Sequence, residues 1–338
     1  MRDNSRYGPL DDPAGNAGYT EHPRRVGFFT DTSVCIGCKA CEVACKEWNL
    51  VPDDGFNLLG MSFDNTGMLG ADTWRHVAFI EQAKPLGGQD SGLAGRPTGP
   101  SGSLRSADRV ASAIELTQRG GGELGTTPVE LGMPKFERPG EGTGAQARTA
   151  FRWLMSSDVC KHCTHAGCLD VCPTGALFRT EFGTVVVQQD ICNGCGYCVS
   201  GCPYGVIDRR EGDGRAWKCT LCYDRLHDGL EPACAKACPT DSIQFGPLDE
   251  LRGRAARRVE ELHQRGMAEA RLYGHDPNDG VGGDGAFFLL LDEPEVYGLP
   301  PDPVVPTRDA PAMWKYAGIA ASALVAAAAS AFIGRGRR

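Results

Sequence analysis

The 338-residue sequence has no glycine-rich loop built to cradle phosphate and no nucleophile, histidine and carboxylate set of a hydrolase. Neither nucleotide chemistry nor hydrolysis is therefore indicated. A basic excess is also missing: 35 lysines and arginines stand against 43 aspartates and glutamates, a formal charge of −8. That balance argues against nucleic acid as a partner. The pair Arg24-Arg25 invites a twin-arginine reading, yet Val-Gly-Phe-Phe-Thr-Asp follows it. An export signal would need an apolar stretch of roughly 7–15 residues there. Val26 to Thr32 reads instead as a short strand. Above all, no cysteine stands outside a group of four.

The sixteen cysteines fall into the quartets Cys35/Cys38/Cys41/Cys45, Cys160/Cys163/Cys168/Cys172, Cys192/Cys195/Cys198/Cys202 and Cys219/Cys222/Cys234/Cys238. Each opens with C-x-x-C and closes with C-x-x-x-C, and Pro173, Pro203 and Pro239 follow three of them. This is the bacterial-ferredoxin run, with its middle gap stretched in the second and fourth copies. Three thiolates at short intervals wrap one loop around one face of a cube, and the fourth points away from that face. Four 4Fe–4S clusters need sixteen thiolates, and sixteen are present. Gly37, Gly194, Gly196 and Gly201 suit such tight wrapping. Two other readings compete. A disulfide framework suits short secreted domains better than a chain of this length. Structural zinc also uses C-x₂-C pairs but has no need of a repeated C-x₃-C-P tail.

Nineteen residues, Pro173 to Ile191, separate the second and third quartets, with Gly175-Ala-Leu-Phe178 and Gly183-Thr-Val-Val-Val-Gln188 forming a short strand pair. This is the layout of a compact two-cluster ferredoxin, in which the fourth cysteine of each run ligates the neighbouring cluster. Crossed ligation assigns Cys160, Cys163, Cys168 and Cys202 to one cluster and Cys192, Cys195, Cys198 and Cys172 to its neighbour. By elimination, the first and fourth quartets form a second module, with sets Cys35, Cys38, Cys41, Cys238 and Cys219, Cys222, Cys234, Cys45. The expected fold class is α+β: two ferredoxin-like modules, each with two clusters, carrying loop insertions and a single C-terminal transmembrane helix.

The chain then divides into a polar arm (1–25), the first part of the outer module (26–84), a glycine-rich insertion (85–148) and the inner module (149–210). The second part of the outer module (211–247), a helix, strand and proline-rich tether (248–311) and the membrane helix (312–334) complete it. A short helix is expected near Ser106 to Arg119. Leu251, Ala255, Val259 and Leu262 make a helical stripe within Leu248 to Arg265, and Ala286-Phe-Phe-Leu-Leu-Leu291 reads as a buried strand. Tyr297 to Pro306 reads as a stiff, extended tether. His162 and His165 lie among the second quartet's thiols, where a supporting or surface role suits them better than ligation. Lys39, Lys161 and Lys218 adjoin ligands and are read either as charges near a cluster or as solvated side chains. Trp48 and Trp217 are read as packing residues.

Ala317 to Ile333 holds 17 residues without a charge. Met313 to Ile333 would extend roughly 30 Å as a helix, one hydrocarbon core. Trp314 and Tyr316 suit one interface, and Gly318, Ser322, Ala326, Ser330 and Gly334 form a small-residue stripe fit for close helix packing. A buried or amphiphilic soluble helix is the competing reading. Arg335, Arg337 and Arg338 are expected to stay cytoplasmic, with the cysteine-bearing body on the outer face of a bacterial membrane. Without an export signal of its own, the chain would cross already folded, carried by a partner.

The order of the quartets resembles the iron–sulfur β subunits that accompany molybdopterin enzymes of the dimethyl sulfoxide reductase superfamily. Cys35-Ile-Gly-Cys-Lys-Ala-Cys-Glu-Val-Ala-Cys-Lys-Glu-Trp-Asn49, Asn193-Gly-Cys-Gly-Tyr-Cys-Val-Ser-Gly-Cys-Pro-Tyr204 and Lys218-Cys-Thr-Leu-Cys-Tyr-Asp-Arg225 are most similar to the membrane-bound formate dehydrogenase type. Gly280-Val-Gly-Gly283 and Tyr297-Gly-Leu-Pro-Pro-Asp-Pro303, followed by one membrane helix, resemble the same type. The likeness covers about 26–84 and 149–334. Every quartet keeps cysteine at each position, unlike the nitrate-reductase type, and the insertion and arm depart from the formate pattern. The resemblance implies a non-catalytic subunit relaying electrons through four clusters from a molybdenum or tungsten bis-pterin α subunit that oxidises formate. The receiver it implies is a γ subunit, a membrane cytochrome b with haem b, that reduces quinone. A hydrogenase or another molybdopterin oxidoreductase could use the same relay. A zinc-stapled membrane scaffold is the alternative from another class.

Overall fold

The computed structural model of the chain describes residues 10–55, 63–64, 66–83 and 151–335. The tip of the polar arm, the glycine-rich insertion with its expected helix, and Arg337 and Arg338 lie outside the described residues. Two compact units are present. The smaller is described by Phe63, Asp64, 79–83 and 151–154, where the rings of Phe63, Phe79 and Trp153 cluster at centroid distances of 5.2 to 5.9 Å. The larger holds the other described residues, all sixteen cysteines among them.

In chain order the elements begin α1 (Pro13–Asn16), β1 (Val26–Asp31), α2 (Ala40–Asn49), β2 (Arg75–Ala83) and β3 (Phe151–Val159). Next come α3 (Gly167–Asp170), β4 (Leu177–Arg179), β5 (Val185–Val187), α4 (Tyr197–Ser200), β6 (Asp208–Arg209) and β7 (Ala216–Trp217). Then follow α5 (Tyr223–His227), α6 (Ala233–Lys236), β8 (Ile243–Pro247) and α7 (Leu248–Gln264). The series closes with β9 (Arg271–Tyr273), β10 (Ala286–Leu290) and α8 (Ala310–Arg335).

The core is a four-stranded sheet of order β8-β1-β10-β9. β1 runs parallel to β10, with Phe28 opposite Ala286, and antiparallel to β8. A strand covered on both faces reads as an unbroken apolar run, and every residue of β10 is buried. Phe29 stacks on Phe287 at 5.3 Å, a geometry that adds about 0.5–1.5 kcal/mol to the area buried. α7 lays Leu248, Leu251, Ala255 and Leu262 on this face, with Val259 packed alongside. Each fully buried leucine contributes about 1.5–3 kcal/mol. Asp249 and Glu250 in its first turn complement the helix dipole and bind Arg24, which anchors the end of the polar arm.

β4 and β5 form the expected hairpin, with Leu177 opposite Val187. Beside it α3 and α4 approach so closely that a Cβ on Gly167 would stand 2.4 Å from the Gly201 carbonyl oxygen. Gly37, Gly194 and Gly196 adopt positive φ, whereas Gly201 does not; a Cβ there would stand 2.8 Å from Val171 Cγ2 and 3.1 Å from the Gly167 carbonyl oxygen.

The proline-rich segment departs from expectation. It opens with a 3₁₀ turn at Pro294–Tyr297, and Leu299 and Val305 are buried. Its carbonyl at Pro300 accepts from Tyr273 Oη at 2.6 Å, and Thr307 Oγ1 donates to Asp170 Oδ2 at 2.6 Å. Apolar burial between the prolines straps it to the body, so it does not run free as a tether. α8 differs: Trp314, Leu324 and Val325 are 78%, 72% and 69% exposed. Ala310–Ala331 has a mean hydropathy of 1.3, long and apolar enough to cross a membrane. Ser322 and Ser330 turn their hydroxyls onto their own helix backbone.

Candidate metal centres

Short helical turns carry many of the cysteines. α2 holds Cys41 and Cys45 four residues apart, hence on one face. α3, α4 and α6 hold Cys168, Cys198 and Cys234. These turns close onto sulfurs from other quartets. Cys160, Cys163 and Cys168 line one cavity together with Cys202 from the third quartet. Cys35, Cys38 and Cys41 line another, together with Cys238 from the fourth.

Other thiols influence one another electrostatically. Burial first, then the negative charge of Cys172, Cys192 and Cys195, pushes the Cys198 thiol up to about 12. Burial and then Cys219 and Cys234 raise Cys45 well above the ordinary thiol range, with Cys222 adding to the effect. Asn49 Nδ2 reaches both Cys45 Sγ (3.8 Å) and Cys222 Sγ (3.7 Å). Backbone N–H groups of Ala216 and Leu221 donate to Cys192 and Cys219 at 3.4 and 3.3 Å.

Thiols of different quartets also influence one another. Burial raises Cys168, and the charge of Cys198 from the third quartet adds to it. Burial likewise raises Cys219, with Cys160 as the next cause. Arg75 Nη2 lies 3.2 Å from Cys234 Sγ, and Ser157 Oγ lies 3.2 Å from Cys41 Sγ. Burial pushes the Cys41 thiol up to about 11 against the opposing influence of Arg75 and Ser157.

The three lysines read alike in sequence separate in the structure. Lys161 and Lys218 are fully buried. Lys161 pairs with Asp158 and faces the rings of Tyr204 and Phe288. Lys218 donates to the carbonyls of Val185 and Cys219. Lys39 is partly exposed and pairs with Glu42 at 3.2 Å. His162 is buried and accepts from the Val185 N–H at its Nδ1 (3.1 Å). The His165 ring lies against Gly282. Trp48 is half exposed, donating to Asp224 beneath the Arg225 guanidinium. Trp217 stacks on Trp74, and the Arg210 guanidinium lies 3.8 Å from its ring centroid. Arg75, Ser157 and Asn49 escape the sequence reading as site residues. Asn49 had a usable signal, standing four residues after Cys45 on a helix, whereas nothing around Arg75 marks it.

All sixteen thiols are unbridged, so no disulfide framework exists. Among the described residues, no three cysteine, histidine or carboxylate side chains converge as a single metal ion requires. Each of the two cavities instead has four thiols on its wall, the donor set of a larger sulfur-bound group. Soft thiolates in sets of this kind select iron–sulfur chemistry, and the site is that of an iron–sulfur protein.

Comparison with known proteins agrees. The profile of a 4Fe-4S dicluster domain matches residues 151–248, and a second profile of the same description matches 34–176. The iron–sulfur subunit of the nitrate-inducible formate dehydrogenase of Escherichia coli K12 is 34% identical over 299 residues. That match covers 87% of this chain and 78% of the relative. The formate dehydrogenase iron–sulfur subunit of Haemophilus influenzae is 34% identical over 290 residues, covering 84% and 72%. The B subunit of the anaerobic dimethyl sulfoxide reductase of E. coli K12 is 30% identical over 229 residues, covering 68% and 76%. The protein belongs to this family of iron–sulfur, electron-transferring subunits of formate dehydrogenase and dimethyl sulfoxide reductase type.

Proposed function

We propose that this chain relays electrons from a molybdopterin formate dehydrogenase subunit to a membrane cytochrome b that reduces quinone, through four 4Fe–4S clusters held by the crossed thiol sets. The observation that carries this reading is the meeting of distant cysteines on shared walls. Cys202 stands with Cys160, Cys163 and Cys168, and Cys238 with Cys35, Cys38 and Cys41. Similarity to formate dehydrogenase subunits over 87% of the chain supports the choice of catalytic partner.

When bound, the clusters would supply reversible one-electron transfer. The chain's own residues do the rest. Cys160, Cys163, Cys168 and Cys202 form one ligand set, and Cys172, Cys192, Cys195 and Cys198 a second. Cys45, Cys219, Cys222 and Cys234 form a third, and Cys35, Cys38, Cys41 and Cys238 the last. Seven of the sixteen cysteines are buried away from water, and backbone donors such as Ala216 N–H stabilise the sulfurs' negative charge. Sets adjoining in a row would give electrons one path. α8 would sit in the bilayer, its small-residue stripe against the cytochrome b subunit. Its basic end at Arg335 would lie in the cytoplasm, with the body outside.

Replacing Cys192 with alanine in the intact complex tests the reading. About four of sixteen irons should be lost, and quinone reduction by formate should stop while formate oxidation by artificial dyes survives. Full iron content, or unimpaired quinone reduction, would overturn it.

A further inference from the structure

One buried side chain joins the two thiol sets of the outer module. Arg75 on β2 is 1% exposed. Its Nη2 donates to Cys234 Sγ at 3.2 Å. Its Nη1 donates to the Ser157 carbonyl at 3.2 Å and to Ser157 Oγ at 3.3 Å, and that hydroxyl is 3.2 Å from Cys41 Sγ. Cys234 and Cys41 fall in different sets, so the chain Cys234–Arg75–Ser157–Cys41 spans the gap between them. Phe28 closes the site beneath the guanidinium, 4.9 Å from its ring centroid.

A cation buried this deeply is costly unless anionic groups surround it. No carboxylate among the described residues bonds to Arg75; its partners are Cys234 and Ser157. Burial opposes its charge, yet Cys234, Cys41, Cys219 and Cys45 outweigh that and hold it firmly protonated. These sulfurs come from both sets. Lys161 differs, because its ammonium group is spent on Asp158 and the Val159 carbonyl; Lys218 donates to the Val185 and Cys219 carbonyls, and burial apart its charge is favoured chiefly by Cys160 and Cys168. Arginine cannot be deprotonated in a protein, so its charge is constant while that of each thiolate-bound cluster grows by one on reduction.

We propose that Arg75 is a shared positioning charge for the two outer-module clusters, raising the reduction potential of both. The proposal rests on the crossed sets described above. A fixed charge within a few ångströms of both sets, shielded from water, favours the more negative state of each. Removing it should therefore move two clusters together and leave the inner pair unchanged.

The test uses the intact, anaerobically purified complex carrying Arg75→Gln, Arg75→Met or Arg75→Lys, with iron analysis and redox titration followed by electron paramagnetic resonance. In either neutral variant, two of the four clusters should lose at least tenfold in their reduction equilibrium, a downward shift of at least about 59 mV. Arg75→Lys should restore most of that shift. Normal iron with unmoved potentials in the neutral variants overturns the proposal, as does movement of a single cluster. Loss of iron in both neutral variants also overturns it, since the side chain would then be needed to build the fold. Wild-type protein with far fewer than about sixteen irons would refute the ligand sets themselves, and this proposal with them.

Discussion

Gly167 offers the sharpest test of how the inner thiols are held. It opens α3 one residue before Cys168, and an added Cβ would lie 2.4 Å from the Gly201 carbonyl oxygen. Pro306 Cδ and Val305 Cγ1 would stand at 3.2 and 3.4 Å, which leaves little room for retreat. Ordinary carbon contact begins near roughly 3.5 Å, so Gly167→Ala must part the two turns by about 1 Å. Overpacking of this kind costs about 1–3 kcal/mol, offset by up to ~1 kcal/mol because alanine suits a helix better than glycine. A net loss of about 1–2 kcal/mol follows. The site should suffer more than the fold, because metal–ligand distances hold to about 0.2 Å. Cys168 and Cys202, on either side of this contact, would move several times that far. Gly167→Ala should therefore lower iron content and broaden the resonance signals of the inner pair. Gly212→Ala, with nothing within 4 Å of its added Cβ, should do neither. Full iron, unchanged spectra and unchanged heat stability in Gly167→Ala would refute the reasoning.

Other outcomes are equally definite. Phe287→Ala, which empties a fully buried place opposite Phe29, should cost about 3–5 kcal/mol; urea-induced bleaching of the iron–sulfur absorbance would report it. Deleting residues 310–338 should move the iron-loaded chain from the detergent-soluble to the aqueous fraction, since α8 exposes its apolar side chains. His22 should titrate above its ordinary value, because the Pro23 carbonyl and Asp12 both favour its charged form. The stability it lends is present below the unfolded value near 6.5 and disappears as pH rises through the raised folded value. Proton resonance titration of His22 would show this, with Asp12→Asn lowering the midpoint.

Short-range pattern explains what could be read in the chain. Val26–Asp31 and Ala286–Leu290 are strands because their β-branched and aromatic residues suit a covered sheet, and the stripe from Leu251 to Leu262 makes α7. The cysteine spacing pointed to iron–sulfur chemistry because loops around a metal cluster are local structures. What escaped reading depends on chain closure. Arg75 looks like a surface residue until β2 carries it between Cys234 and Ser157. Lys218 looks solvated until the β4–β5 hairpin covers it with the Val185 carbonyl. The prolines after Tyr297 imply stiffness, but Leu299 and Val305 decide where that stiff segment lies. No local window contains both partners of such a contact.

The parallel pairing of β1 with β10 has a temporal consequence. Asp31 and Leu289 are neighbours in the sheet, yet a ribosome adding about 5–20 residues per second takes roughly 13–50 s to travel from one to the other. Until then Phe28 and Phe29 lack their cover, and the loop from Cys35 to Cys41 hangs from an unfinished scaffold. Iron delivered early would meet a half-built outer module, whereas the inner hairpin is complete far sooner. Maturation of this subunit should thus proceed from the middle outward, its first-synthesised cysteines among the last to be secured.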